Sequence, residues 1–286
     1  GGERNRIGTE TSSSNNSVLV TGSNSLWTIA GGELSVGLFG TSNSLVISNG
    51  GQVHNGGDGR IGFYKESSSN SVLVTGANSL WTNSGDLFVG YEGSSNSLVI
   101  SNGGTVASGN GYVGFDSNSF GNSILVTGTG SVWTNSGDLY VGYSGTSHRM
   151  VIADGGKVYN VNGFDDGASP LDSSNSVLVT DAGSAWVNSG NLIFGLAGHD
   201  NSLVISNGGL VTVGTNAYAG DLATASNNSV LVTGTNAGGA ASTLSVVGSL
   251  FVGNEGSGNS LVISNGGEVF VGTNLVISAL AGASNN

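Results

Sequence analysis

The phrase Val18-Leu19-Val20-Thr21-Gly22 returns along the chain, intact or slightly altered, from Val72, Ile124, Val177 and Val230. A second phrase, Leu45-Val46-Ile47-Ser48-Asn49-Gly50-Gly51, falls between these copies and recurs from Leu98, Met150, Leu203 and Leu261. The ten starts, at 18, 45, 72, 98, 124, 150, 177, 203, 230 and 261, are spaced by 26 or 27 residues, with a last step of 31. Self-similarity at such a period means stacked supersecondary units, none of which can bury its apolar face alone. The units alternate: type A carries a Trp, and type B carries Asn-Gly-Gly or Asp-Gly-Gly.

Each unit holds three short strand candidates separated by Gly or Asn turns. In the second A unit they are Val72-Leu73-Val74, Leu80-Trp81-Thr82 and Leu87-Phe88-Val89. In the B unit after it they are Leu98-Val99-Ile100, Thr105-Val106-Ala107 and Tyr112-Val113. Three such strands per repeat make one triangular coil of a parallel β-helix. The expected fold is therefore all-β: a single parallel β-solenoid over residues 1–286, of about ten triangular coils of 26–27 residues in alternating A and B types. At the usual strand spacing the rod is about 48 Å long. With 52 Gly, 1 Pro and 8% charged residues, the composition is that of strands and turns.

A net charge of −12, from 18 acids and 6 bases, disfavours nucleic acid and anionic membranes as partners. The absence of Cys excludes disulfides and thiolate metal sites. No run approaches the ~18 apolar residues of a membrane span.

Two residues before each phrase stands an Asn: Asn16, Asn43, Asn70, Asn96, Asn122, Asn175, Asn201, Asn228 and Asn259, with His148 in the remaining coil. Stacked Asn side chains hydrogen-bond along an axis, so this column is a candidate structural ladder. A Gly column closes the third strand: Gly37, Gly62, Gly90, Gly114, Gly142, Gly163, Gly195, Gly220, Gly253 and Gly282. With Asn70 inward, alternation turns Val72, Val74, Leu87 and Val89 inward and Leu73 and Phe88 outward. Two outward apolar columns follow. One runs from Leu19 through Leu73 to Val262; the other includes Phe88, Tyr112, Tyr140, Ile193, Tyr218 and Phe251. An exposed apolar stripe suggests association, so Phe88, Tyr112, Tyr140, Tyr218 and Phe251 are candidate lateral contacts. A phase one residue off would exchange inside and outside.

Trp27, Trp81, Trp133 and Trp186 share a column two coils apart, about 9.6 Å, too far for rings to stack. An outward row would bind sugar rings; the plainer reading is a packed layer filled between by smaller B-coil residues. Glu33, Asp86 and Asp138 share a turn column continued by Asn191 and Ser249. Turn carboxylates in solenoids can hold Ca²⁺, which takes 6–8 oxygens, but a turn-forming role is the plainer reading. No other cofactor is expected. Asp165-Asp166 with Asp172, around Pro170, is the densest acidic loop, either a weak Ca²⁺ site or an ordinary surface insertion. His148-Arg149 with Asp154 is the one place where His, Arg and carboxylate crowd together, and drift in one rung would also explain it.

The chain opens inside the third strand of a B coil and closes where an A coil would begin. A segment of a longer array is the expectation, with head-to-tail stacking of short subunits as the alternative.

The stretch Gly130-Ser131-Val132-Trp133-Thr134-Asn135-Ser136-Gly137-Asp138-Leu139-Tyr140-Val141-Gly142, together with Leu-Val-Ile-Ser-Asn-Gly-Gly, resembles the repeat associated with type V secretion (autotransporter) and PEP-CTERM surface proteins. The pattern recurs from Ser79 to Gly90 and Ser184 to Gly195, and more loosely from Ser25 to Gly37. The last A coil departs, with Leu244 in place of Trp and Ala237-Gly238-Gly239-Ala240-Ala241 inserted. The resemblance implies a right-handed β-helical passenger, extracellular or on the bacterial cell surface, without enzymatic chemistry. The expected function is structural: the rod or stalk of a surface adhesin, or the body of a filament, self-associating end to end or laterally. A carbohydrate- or surface-binding adhesin, with its patch at 148–172 or 237–243, is the alternative. A polysaccharide lyase or hydrolase would need a carboxylate cluster that the sequence does not display.

Overall fold

Strict alternation of apolar and polar residues makes each repeat strand an element with one dry face. In Ser71–Thr75, Val72 and Val74 are buried while Ser71, Leu73 and Thr75 are half-exposed. Such a strand cannot stand alone. The computed structural model, which describes residues 4–166, 169–171 and 173–286, pairs it in parallel with Ser44–Ser48 on one side and Ser97–Ser101 on the other. Phrase pairs with phrase, so the 26–27-residue period becomes a step of one strand spacing.

Every third strand in chain order joins the same sheet. The described residues form an 11-stranded sheet and two 10-stranded sheets, all parallel, and contain no helix. This is a β-solenoid of about ten coils. One 10-stranded sheet, the first in each coil, carries the repeat phrases; the other, the second, carries the Trp strands such as Leu80–Asn83; and the 11-stranded sheet, the third, carries the short strands such as Leu87–Val89. Eleven strands give about ten spacings, or about 48 Å.

The inward phase is the one expected from Asn70. Val72, Val74, Leu87 and Val89 are buried, as is Asn70. The outward column of Leu73 is half-buried along the rod, and fully open only at its ends, as at Leu19.

The corners explain the Gly and Asn columns together. The residue before each ladder Asn is left-handed, as at Ser42, Ser69 and Ser95 (φ 56 to 58°). That bend swings the ladder side chain into the channel beside a corner glycine. A Cβ on Gly37, itself at φ +76°, would lie 2.2 Å from Asn70 Nδ2, so both φ and space require glycine there. Two members assigned to the glycine column lie elsewhere. Gly163 pairs with Leu139 and Leu192, inside the third strand, and Asp166 stands at that coil's corner. In the last coil the corner is Ser278, whose N–H bonds to Val252 O as that of Gly253 does to Ala219 O; Gly282 lies beyond it. An Asp at one corner and a Ser at the other, where other coils carry Gly, left a neighbouring glycine as the apparent column member.

Trp81, Trp133 and Trp186 are fully buried and Trp27 is half-buried. They point into the coil and alternate with Val53, Val106, Val158 and Val211. The column is packed core and not an outward sugar platform. Each Trp removes some 150–250 Å² from water, a transfer gain of roughly 4–6 kcal/mol.

Candidate functional site

The corner ladder is continuous. The backbone N–H of Asn16 donates to Asn43 Oδ1 at 3.0 Å, and Asn43, Asn70 and Asn96 each donate to the next Oδ1 at 2.8 or 2.9 Å. After Asn122 the acceptor is Nδ1 of His148, at 3.3 Å. His148 N–H then donates to Asn175 Oδ1, and the run passes through Asn201, Asn228 and Asn259 to Asn286. His148 thus replaces Asn by offering a ring nitrogen where the amide oxygen would stand, which requires a neutral imidazole with Nδ1 unprotonated. Burial drives its pKa from the usual 6.5 down to about 4, against weaker backbone hydrogen bonds at Ser144 and Ser119. Arg149 is exposed beside it, while Asp154 sits at the far end of the strand Arg149–Ala153 and accepts from Thr127 Oγ1. The structure does not bring His148, Arg149 and Asp154 into one site.

The acidic turn column is a second ladder. Asp58 Oδ1 accepts the N–H of Asp86, Asp86 Oδ1 that of Asn110, and Asn110 Oδ1 that of Asp138. Asp138, Asn162, Asn191 and Asn216 continue it to Ser249. The B-coil members Asp58, Asn110, Asn162 and Asn216 escaped the sequence reading, although they occupy the equivalent offset before the third strand. Glu33 is too long for this geometry and pairs with Arg60. A third ladder lies inside the second sheet. Asn160 Nδ2 donates to Asn188 Oδ1 at 2.6 Å, and the indole N–H groups of Trp133 and Trp186 donate to Ser108 and Asn160.

Aromatic rings form a ribbon on the third sheet. Phe88, Tyr112, Tyr140 and Phe164 stack at 4.5 to 5.2 Å between centroids. A parallel file of Tyr91, Phe115 and Tyr143 meets them edge to face, and Phe63 extends that file beside Tyr91. Phe88 is consequently buried although it points outward. Tyr218 and Phe251 form a separate stacked pair farther along. Burial, aided by Asp86, pushes the Tyr112 hydroxyl up to about 12; burial and Asp138 do the same at Tyr140.

The largest break in the repeat is at Asp165 and Asp166. Both are fully buried. In a regular coil the backbone carbonyls of Ile61 and Gly62 accept the N–H groups of Gly90 and Tyr91, the counterparts of Gly195 and Leu196. Here the Asp165 carboxylate accepts from Gly195 N–H, and the Asp166 carboxylate accepts from Leu196 and Gly198 N–H. Side-chain oxygens stand in for backbone carbonyls at both positions. Burial, reinforced by Asp166, pushes the Asp165 carboxyl well above the usual range, and the Gly195 bond opposes this. Asp165 Oδ2 has no hydrogen-bond partner. Asp172 lies outside the described residues. Among the described residues no three His, Cys, Asp or Glu side chains are grouped to hold a metal ion. The inserted loop of the last A coil is exposed and closed by Asn236 Oδ1, which accepts from Gly238 and Ala240 N–H.

No protein-family model matches the chain, and no curated protein matches it. Among solved structures, the chain is similar to a crystallised, TibC-catalysed hyper-glycosylated fragment of TibA, with 16% identity over 96% of this chain and 99% of that one, at a TM-score of 0.28. A likeness of that size carries no weight for function. No helix among the described residues is long and apolar enough to cross a membrane.

Proposed function

We propose that the chain is a non-enzymatic structural rod: the stalk of a bacterial surface adhesin or the body of an extracellular filament. The observation that carries this reading is the unbroken corner ladder, in which each coil binds the next through the same buried contact. Identical contacts from rung to rung yield length and stiffness, with stability set by neighbouring coils. The outward Leu and Val column and the aromatic ribbon are the faces through which rods would associate laterally. The autotransporter-like repeat pattern supports an exported, surface-exposed setting.

The test has two parts. Antibodies raised against this chain should label intact source cells or their shed filaments, and electron microscopy should find rods with a ~4.8 Å axial repeat. The purified chain should release no products from polysaccharides. Labelling confined to the cell interior, or catalytic release of sugar, would overturn the reading.

A further inference from the structure

The outward residues of the first sheet fall into three files. The first file is Ser in every coil but one, where Arg149 stands. The second alternates Leu and Val from Leu19 to Val262. The third is Thr or Ser in every coil but one, where Ala153 stands. Both departures fall in one strand, Arg149–Ala153, well inside the rod. The residue after it is Asp154, at a corner that is Gly or Asn in the other coils except at Asp181, one coil on. Arg149 and Asp154 are exposed, and neither has an ion-pair partner among the described residues. They stand at opposite ends of the strand, roughly 15 Å apart, so one chain cannot join them.

A second copy can. Arg149 is the one charged residue among the outward positions of this sheet, in a chain whose net charge is −12, so two such faces meet without repulsion between acids. Ten strands of five residues cover about 48 by 16 Å, or roughly 750 Å² per copy, close to the ~800 Å² that each partner gives to a stable interface. A two-fold axis along the rod lays the first file of one copy on the third file of the other. Ser71 then faces the partner's Thr75, and Leu73 the partner's Leu73. Arg149 faces the partner's Ala153, the shortest side chain in its file, with the partner's Asp154 beside it. Packed sheets lie about 10 Å apart, a gap that an extended arginine crosses. Symmetry forms the contact twice. An axis along the strands would set like files together and leave Asp154 at the edge far from Arg149.

We propose that two copies of this chain pair with rods parallel through the first sheet, Arg149 of each bound to Asp154 of the other. The contact rests on the lateral association of rods proposed above and gives it one face and one register.

The experiment is sedimentation of the purified chain, which should show a dimer with a Kd in the micromolar range or tighter. Arg149→Glu and Asp154→Arg should each weaken it about tenfold or more, since each sets like charges together twice. An equimolar mixture of the two variants should recover the dimer, because both contacts of a mixed pair join opposite charges. A variant that merely misfolds cannot be rescued by mixing. Leu125→Lys, in the middle file, should abolish the dimer. A parent that is monomeric throughout the micromolar range, a dimer indifferent to either reversal, or a mixture that fails to recover would each overturn the proposal. A dimer lost in Tyr143→Lys and kept in Leu125→Lys would place the contact on the aromatic ribbon, with the same result. Cell labelling and product release decide the structural-rod reading separately, whichever way the dimer falls.

Discussion

Replacing His148 with Asn restores the residue that the corner carries in the adjoining coils, Asn122 and Asn175, and removes one proton equilibrium from the core. In the folded chain the imidazole is neutral, with Nδ1 accepting the Asn122 N–H and a pKa of about 4. The groups against the ring, the Asn122 amide, the Ser119 hydroxyl and the Ser144 backbone, are uncharged. In the unfolded chain the pKa returns to about 6.5. The folded value is the lower one. Between these values the unfolded chain binds a proton that the folded chain refuses, so this group leaves stability intact above pH 6.5 and erodes it as the pH falls toward 4. At pH 5 the loss is about 2 kcal/mol, and its limit below pH 4 is about 3 kcal/mol. For a chain of this length 2 kcal/mol corresponds to roughly 4 °C in Tm. Unfolding followed by Trp fluorescence at pH 7.5 and 5.0, for parent and His148→Asn, isolates this group because the carboxylates titrate alike in both. The parent should lose about 2 kcal/mol more than the variant. Hydrogen exchange at the Asn122 amide should show the same excess locally. Identical pH dependence in the two proteins would refute the argument that a buried neutral imidazole completes the ladder.

Other substitutions test separate parts of the rod. Asp165 has a raised folded pKa, so the stability its protonation supports is present at low pH and is lost as the pH rises from the unfolded value through the folded one. Asp165→Asn keeps an acceptor for Gly195 and stays neutral; it should raise the unfolding midpoint at pH 7.5 more than at pH 5. Asn96→Ala strips the Asn70 N–H of its acceptor and Ser67 O of a donor, and denaturant unfolding should register a loss of about 2–3 kcal/mol. Trp133→Ala opens a cavity between Val106 and Val158 and should cost about 3–5 kcal/mol by the same measurement.

Most of the fold was legible because a period-two pattern inside a 26-residue period leaves little freedom. Once Asn70 is placed inward, Val72, Val74, Leu87 and Val89 follow by alternation, and the structure buries all four. The lateral surface was less legible because alternation gives direction and not exposure. Phe88 points outward and is still buried, since Tyr91, Tyr112 and Phe115 close around it. The turn carboxylates were read as a column of A coils alone, because Asp86 and Asp138 stand out there. Their partners Asp58, Asn110 and Asn162 come from B coils, and the ladder exists only when both types are aligned on the third strand. At Gly163 the search for a glycine misled: Asp166 stands sixteen residues after Met150, as Gly114 stands sixteen after Leu98, and pairing with Leu139 and Leu192 places Gly163 inside the strand.

The Asp165–Asp166 corner shows what limits divergence in such a rod. A coil contacts only its neighbours, so a departure is tolerated if the coil above still finds an acceptor for every buried N–H. Three N–H groups, at Gly195, Leu196 and Gly198, take their acceptors from the side chains of two aspartates. The exchange leaves two buried carboxyl groups: Asp165, with an unpartnered oxygen and a raised pKa, in a column that elsewhere holds residues such as Val89 and Val141, and Asp166 at the corner where other coils carry glycine. Ladder continuity thus outranks apolar packing at the corner, as it does at His148, where a ring nitrogen replaces an amide oxygen. Both departures preserve the backbone bond and give up the ideal side chain. Tolerated insertions should therefore fall where an Asp, Asn or His can reach the coil above, and insertions lacking such an acceptor should unfold the array locally.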